Sequence, residues 1–324
     1  MAPLVLVLPF APVGTADPDW LSAGLAAYVA EGLELAGYRM VDVEAREDAL
    51  EAVGLEDEPR LTLASSCEIA RRVGARFVVT GTWRADASRV DLTARFVDVL
   101  DLKITRSSTA GGHVSTYSGV LGQLVLALAG DAGRAGTPRQ ALEALSTTKQ
   151  DVLLAWMQAA AEPEQAATHL DAALKSDPYF APALLDLAEA QLDAGEPERV
   201  PRTLGSIPPG GPESRRSHIR LLEGRSLLAL GDHQGAITAL ADAVALSPQP
   251  DRMIWLAEAQ LAAGRRDDAA ATARSVLVLV PGDEHAEDVL AEAEGRSTDE
   301  QSPAPVLLVK PATIEAPQPP GAKE

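Results

Sequence analysis

Apolar positions along the chain change their period part-way, and the change divides it into two kinds of structure. Residues 4–8 form a continuous apolar run, the pattern of a strand buried on both faces. Asp17 and Pro18 then read as a helix start: an N-cap acceptor, followed by a proline whose missing N–H costs nothing in the first turn. Leu21, Leu25, Tyr28, Val29 and Leu33 share one side of that helix, Gly37 ends it, and residues 38–43 resume as a strand. A second helix is expected over 66–73, closing at Gly74. A strand over 77–83 and a turn at 85–88 follow. Val90, Leu92, Ala94, Phe96 and Val97 give the next strand, with a largely alternating face. Residues 102–107 add one more, Gly111 and Gly112 break the pattern, and 114–129 reads as an amphipathic closing helix. The predicted order is β-α-β-α-β-β-β-α, a mixed-sheet α/β domain over residues 1–130.

Beyond a short Gly-containing linker and a connecting helix (131–146), the period becomes helical and the pattern repeats. One ladder of small and apolar residues runs Gly231, Ala236, Leu240, Ala243, Pro248. The same offsets give Gly264, Ala269, Ala273, Val276, Pro281, and also Gly195, Val200, Leu204, Ile207, Pro212. A degenerate first copy reads Ala161, Ala166, Leu170, Ala173, Pro178. The closing prolines, at 178, 212, 248 and 281, lie 34, 36 and 33 residues apart, the period of a stacked helix–turn–helix repeat. Small residues let paired helices approach closely, glycine makes the turn and proline stops the second helix. About four repeats are read: 147–178, 181–212, 217–248 and 250–281. A polar capping helix over 282–296 covers the exposed end of the stack. From 297 to 324 the chain is Pro-rich, with a composition typical of disorder.

Both halves resemble known families. The ladder is similar to the tetratricopeptide repeat. Leu8-Pro9-Phe10, Gly24-Leu25, the string from Ile69 through Arg71-Arg72-Val73-Gly74-Ala75-Arg76 to Thr82, and the string from Arg89 to Asp98 resemble the TolB-like amino-terminal domain of bacterial proteins. That resemblance covers roughly residues 4–130. It implies an interaction and regulatory module without catalytic residues, often followed by tetratricopeptide repeats. The sequence departs from the family pattern at Ala23 and over 45–62.

Composition narrows the function. The 324 residues carry a net charge of −19, which argues against nucleic acid, since phosphate binding needs clustered Lys and Arg. No segment has the length and hydropathy of a membrane span, so no membrane insertion is expected. The single cysteine, Cys67, excludes an internal disulfide. Residues 1–12 lack a basic n-region, and a cytoplasmic location is expected. No phosphate-cradling glycine loop and no nucleophile elbow occur, and the five histidines are scattered without ligand spacing. No cofactor, metal or enzymatic activity is therefore expected. Cys67 reads as a small buried helix residue. Glu44, Glu47, Asp48 and Glu51 read as a solvated helix face. Trp20 and Trp83 read as packing of the α/β core, and Trp156 and Trp255 as stacking residues of the repeats.

The repeats point instead to binding. The tetratricopeptide resemblance implies that the first helix of each pair faces a concave groove through its positions 2, 5, 9, 12 and 13. These become Leu185, Glu189, Leu192 and Asp193; then His218, Leu221, Arg225 and Leu228; then Asp251, Ile254, Glu258 and Leu261. Such a groove is mixed apolar and acidic and suits an apolar or basic protein or peptide. Having neither Lys nor Asn, it is not expected to grip a peptide carboxylate. The competing expectation is that the leucines pack between repeats and leave a spacer. The leading reading is a cytoplasmic adaptor or scaffold. The alternatives are a regulatory subunit whose α/β domain senses a small ligand, and an envelope-associated TolB-like component. In the tail, Val306, Leu307, Leu308 and Val309 could add as a strand to a sheet edge.

Overall fold

The computed structural model describes residues 3–14, 20–41, 43–54, 61–86, 88–133, 136–146 and 148–295. The expected helix start at Asp17 and Pro18 and the tail from 297 lie outside them. Strand β1 (Leu4–Val7) is the apolar run, and its side chains alternate between two cores. Val5 and Val7 face one side of the sheet; Leu6 and Leu8 face the other. After β2 (Ala11–Pro12) comes helix α1 (Leu21–Leu35), then β3 (Arg39–Met40). The strand expected over 38–43 is thus only two residues long, because Val43 already opens helix α2 (Val43–Glu51), which holds the acidic residues seen at helical spacing.

Helix α3 (Leu63–Arg72) starts at Thr62, whose hydroxyl accepts a hydrogen bond from the Ser65 N–H. Strands β4 (Phe77–Ala85), β5 (Arg89–Asp98) and β6 (Lys103–His113) form an antiparallel meander, and helix α4 (Tyr117–Ala129) returns across it. Order across the sheet is β3-β1-β4-β5-β6, with β1 parallel to both β3 and β4, and β2 paired to the end of β4. The sheet is mixed, as the pattern predicted. Gly111 and Gly112 do not break it. They lie in register opposite Asp91 and Val90, where a Cβ on Gly111 would run into the Asp91 carboxylate and one on Gly112 into Val120. Their glycines answer crowding, not a turn.

Helices α2 and α3 cover the Leu6/Leu8 face, where Cys67 is buried beside Ile69 and Val78. Helices α1 and α4 cover the other face, against Val79, Leu92 and Phe96. There Trp83 is buried and its indole N–H donates to Ser22 Oγ (3.0 Å). Trp20 packs, partly buried, at the margin of the same core.

The helical half follows: α5 (Gly136–Ser146), then the pairs α6 (Gln150–Ala161) and α7 (Ala166–Ser176), α8 (Ala181–Asp193) and α9 (Val200–Leu204), α10 (Glu213–Ala229) and α11 (His233–Leu246), α12 (Pro250–Ala262) and α13 (Arg266–Leu279), and last α14 (Glu284–Ala293). Gly195, Gly231 and Gly264 turn the chain at positive φ (71°, 81° and 75°), which glycine adopts without a Cβ penalty. Helix α9 is shorter than its counterparts. Gly205 and the Pro208–Pro209 pair end it early, yet its ladder residues Val200, Leu204 and Ile207 remain buried.

Packing does not stop at residue 130 or 147. The core between the sheet and α1/α4 continues through Leu142, Leu145, Leu153, Trp156 and Met157 to Leu170 and Phe180. The first repeat is therefore built onto the α/β domain. Helices α1 and α6 cross closely at Gly24. A Cβ there would stand 2.8 Å from Met157 Cβ and 2.9 Å from the Met157 carbonyl oxygen.

Candidate protein-binding groove

The first helices of the pairs (α6, α8, α10, α12) and the capping α14 present one continuous inner face. Its N-terminal ends are occupied from within. Arg215, near the start of α10, donates to Glu31 of α1 (2.9 Å), and Ser214 Oγ donates to the Glu34 carbonyl (3.3 Å). Arg39, just beyond α1, donates to the Pro248 carbonyl ahead of α12 (3.1 Å). The Glu34 carboxylate faces Arg252, Arg215, Asp251 and Glu31. Burial, joined by Glu31, pushes its pKa up to about 7, against the pull of the two arginines. Burial and the neighbouring Arg252 hold the His218 imidazole down at about 4. Asp186 of α8 accepts a 2.6 Å hydrogen bond from the Trp156 indole; burial still drives its carboxyl up to about 7, with Glu189 and Glu31 adding to the shift. Helix α1 thus seals this end with a half-buried charge network.

The C-terminal ends of the same helices stay open. Arg225 of α10 reaches across three successive helices. It donates to Glu189 (3.0 Å) and Asp193 (3.4 Å) of α8, and its guanidinium lies 4.7 Å from the ring centre of Trp255 on α12. Burial and Glu189 raise the Asp193 carboxyl, with Arg225 opposing them. From the first turn of α14, His285 reaches back to contact Glu258 of α12 (2.6 Å). The side chains of Asp193 and His285 are 67% and 57% exposed, whereas that of Arg225 is 16% exposed, lodged between Glu189, Asp193 and Trp255.

The twelve residues assigned to the groove fall into three sets. Glu189, Asp193, Arg225 and Glu258 line the open strip. His218 and Asp251 lie under α1 and face Arg215, Arg252 and Glu34. The apolar six are taken up by packing between helices. Leu185 packs with Val200 and Leu222, and Leu221 with Leu240 and Leu256. Ile254 packs with Val276 and Ala286, while Leu192, Leu228 and Leu261 close the flanks of neighbouring clusters. Every fifth-position residue is thus a packing residue.

Two features escaped sequence reasoning. Trp255 lies in the strip because Arg225 stacks on it, whereas Trp156 packs edge-on to Phe180 (5.7 Å) in the core. Gln191 and Gln260 are buried and accept from Thr203 and Thr272 (2.9 Å each), joining the helices within the second and fourth pairs. The repeated spacing of Gln and Thr, 12 residues in both, was the available signal. Among the described residues no three His, Cys, Asp or Glu side chains gather as a metal set, and no helix is long and apolar enough to cross a membrane.

Two tetratricopeptide-repeat profiles match this half, over residues 157–222 and 221–284. Residues 157–284 are tetratricopeptide repeats. Among solved structures the chain is similar to a thermophilic tetratricopeptide-repeat protein of Thermus thermophilus. The two are 20% identical with a TM-score of 0.38, over 56% of this chain and 98% of that one. It is similar also to MamA (20% identity, TM-score 0.37, 45% of this chain and 84% of that one). A third likeness is to the LpoB C-terminal domain of Salmonella enterica (19% identity, TM-score 0.29, 34% and 82%). No curated protein matches. The tetratricopeptide stack gives the open strip its setting, a ledge of side chains held at fixed spacing by paired helices.

Proposed function

We propose that this protein is an interaction scaffold, whose tetratricopeptide array receives a segment of a partner protein along the open ends of α8, α10 and α12. The observation that carries it is the partition of the inner face. Helix α1 closes one end, and the other presents Asp193, Glu258, Arg225 and Trp255. An extended basic or aromatic segment fits, because carboxylates and an indole face both attract cations. The α/β domain, which resembles the TolB-like module, acts here as the mount that fixes the array's first repeat.

Fluorescence polarisation of labelled twelve-residue peptides against the full chain tests this. Basic peptides are expected to bind at least tenfold more tightly than acidic ones, and Asp193→Lys/Glu258→Lys to reverse the order. Equal affinity for both, or indifference to the double substitution, would sink the proposal.

A further inference from the structure

One edge of the sheet is left open. Strand β6 (Lys103–His113) is 11 residues long and pairs with β5; among the described residues no strand lies on its other side. Val114, just past the strand, donates its N–H to the Ser88 carbonyl (2.9 Å), and Arg89 turns its own carbonyl the other way, to the Asp86 N–H (2.9 Å). Backbone direction alternates along antiparallel strands, so Gly112, Ala110 and Ser108 also turn their N–H and C=O toward β5. Ser107, Thr109 and Gly111 turn theirs outward, and all three residues are exposed. Such a row of free donors and acceptors is a template for another strand.

The side chains at this edge decide which strand fits. Strand β6 contains no acidic residue, in a chain whose net charge is −19. Lys103 is exposed, and so is Arg95, which stands opposite Ser107 on β5. Arg106 lies over the Phe96 ring (3.9 Å to its centre). Among the described residues none of these three cations is in an ion pair. The acids beside them are already matched, Asp98 and Asp101 by Arg76 (2.6 and 3.8 Å) and Asp91 by Arg89 (2.9 Å).

We propose that this edge takes an extended acidic segment of a partner protein as a further strand of the sheet. Main-chain bonds to Ser107, Thr109 and Gly111 supply the pairing, and carboxylates set beside Lys103, Arg95 and Arg106 supply the selectivity. A second copy of this chain is the poorer match. Two β6 edges paired with each other bring the same three cations of both copies together with no acid between them, and like charges across strands oppose pairing. The site is separate from the strip on the repeats, and either can fail without the other.

Residue-resolved amide hydrogen exchange on the full chain tests this, because it reports the outward N–H groups themselves. The probes are twelve-residue peptides alternating valine with glutamate or valine with lysine, at millimolar concentration, since one added strand is a small interface. The glutamate peptide is expected to slow exchange at Ser107, Thr109 and Gly111 at least fivefold, and the lysine peptide to leave it unchanged. A glutamate peptide methylated at backbone nitrogens on both of its edges keeps the charge, loses the pairing and should protect nothing. Arg95→Glu/Lys103→Glu, two exposed positions, should transfer the protection to the lysine peptide. No slowing by the glutamate peptide, equal slowing by the lysine or the methylated peptide, or slowing that survives the charge reversal would each overturn the proposal. Protection of the same amides in a peptide-free dimer would give the edge to a second copy and overturn it as well.

Discussion

The two ends of the molecule are held together in different ways. At the amino-terminal end one core runs from the sheet through α1 and α4 into the first repeat, built from large side chains such as Tyr28, Phe96, Leu121 and Trp156. Beyond α9 the cores are small and local. Val276 meets Ile254 and Ala286, Ala273 meets Ala257 and Val289, and Ala269 meets Ala293. Each links neighbouring helices only, so the far end behaves as a one-dimensional stack whose helix pairs can open separately. The near end has no such freedom, since loosening α6 also exposes the face of α1. The difference teaches where motion is affordable. The partner-facing strip lies on the stack, and its geometry is anchored at one end by the fused core.

The strongest way to break this contrast is at two glycines. Valine at Gly24 would drive a side chain into the α6 backbone at Met157, where nothing can turn aside. Gly24→Val is expected to cost about 2–3 kcal/mol. It should also split a single calorimetric transition into two. Valine at Gly224 meets the Leu240 side chain (2.5 Å), which can shift. Its cost is expected to be about 1–2 kcal/mol, with faster amide exchange confined to α10 and α11. If both variants unfold in the same manner, the near end is not fused as described.

Next in size is the ion pair across the seam. Arg215 and Glu31 are 19% and 14% exposed, so Arg215→Ala leaves a half-buried carboxylate beside Glu34 and Asp186. A loss of about 1–2 kcal/mol is expected by urea titration, with greater protease sensitivity at 36–41. The double variant Arg215→Ala/Glu31→Gln should recover part of it. No recovery would place the loss in packing instead of charge.

The smallest effect is one of pH. Asp186 is pushed up to about 7 in the fold from an ordinary value near 3.8, so the folded state holds its proton more tightly than the unfolded one. Its contribution therefore falls as pH rises from about 4 to about 7 and is level above. His218, held near 4, has the opposite dependence over much of the same range, since a depressed base loses stability on acidification. The Asp186→Asn difference isolates the carboxyl. The melting-temperature gap, variant minus wild type, should widen with pH up to about 7 and then stay constant, at roughly 1–2 °C per kcal/mol for a chain of this size. A gap independent of pH would show that Asp186 titrates like an exposed acid.

Much was legible without coordinates because it is local. The alternation of Val5 and Val7 against Leu6 and Leu8 needs only the period of a strand, and the turn glycines and small ladder residues need only the period of a helix pair. Gly111 and Gly112 misled because glycine marks a turn and a crowded strand alike, and only the neighbours Asp91 and Val120 tell them apart. The groove was half legible. Counting put Glu189, Asp193, Arg225 and Glu258 on one face with the fifth-position Leu185, Leu221 and Ile254, which the structure uses for packing, and it did not show Trp255 beside Arg225.

Sequence by itself determined the two architectures and their order, since periodicity, small residues and turn chemistry act between residues close along the chain. Only the tertiary structure decided that the first repeat and the α/β domain share a core, and that α1 closes one end of the inner face. Those contacts join Gly24 to Met157, Glu31 to Arg215 and Arg39 to Pro248. Residues so far apart leave no period in the sequence, and their meeting follows from how the whole chain buries its apolar surface.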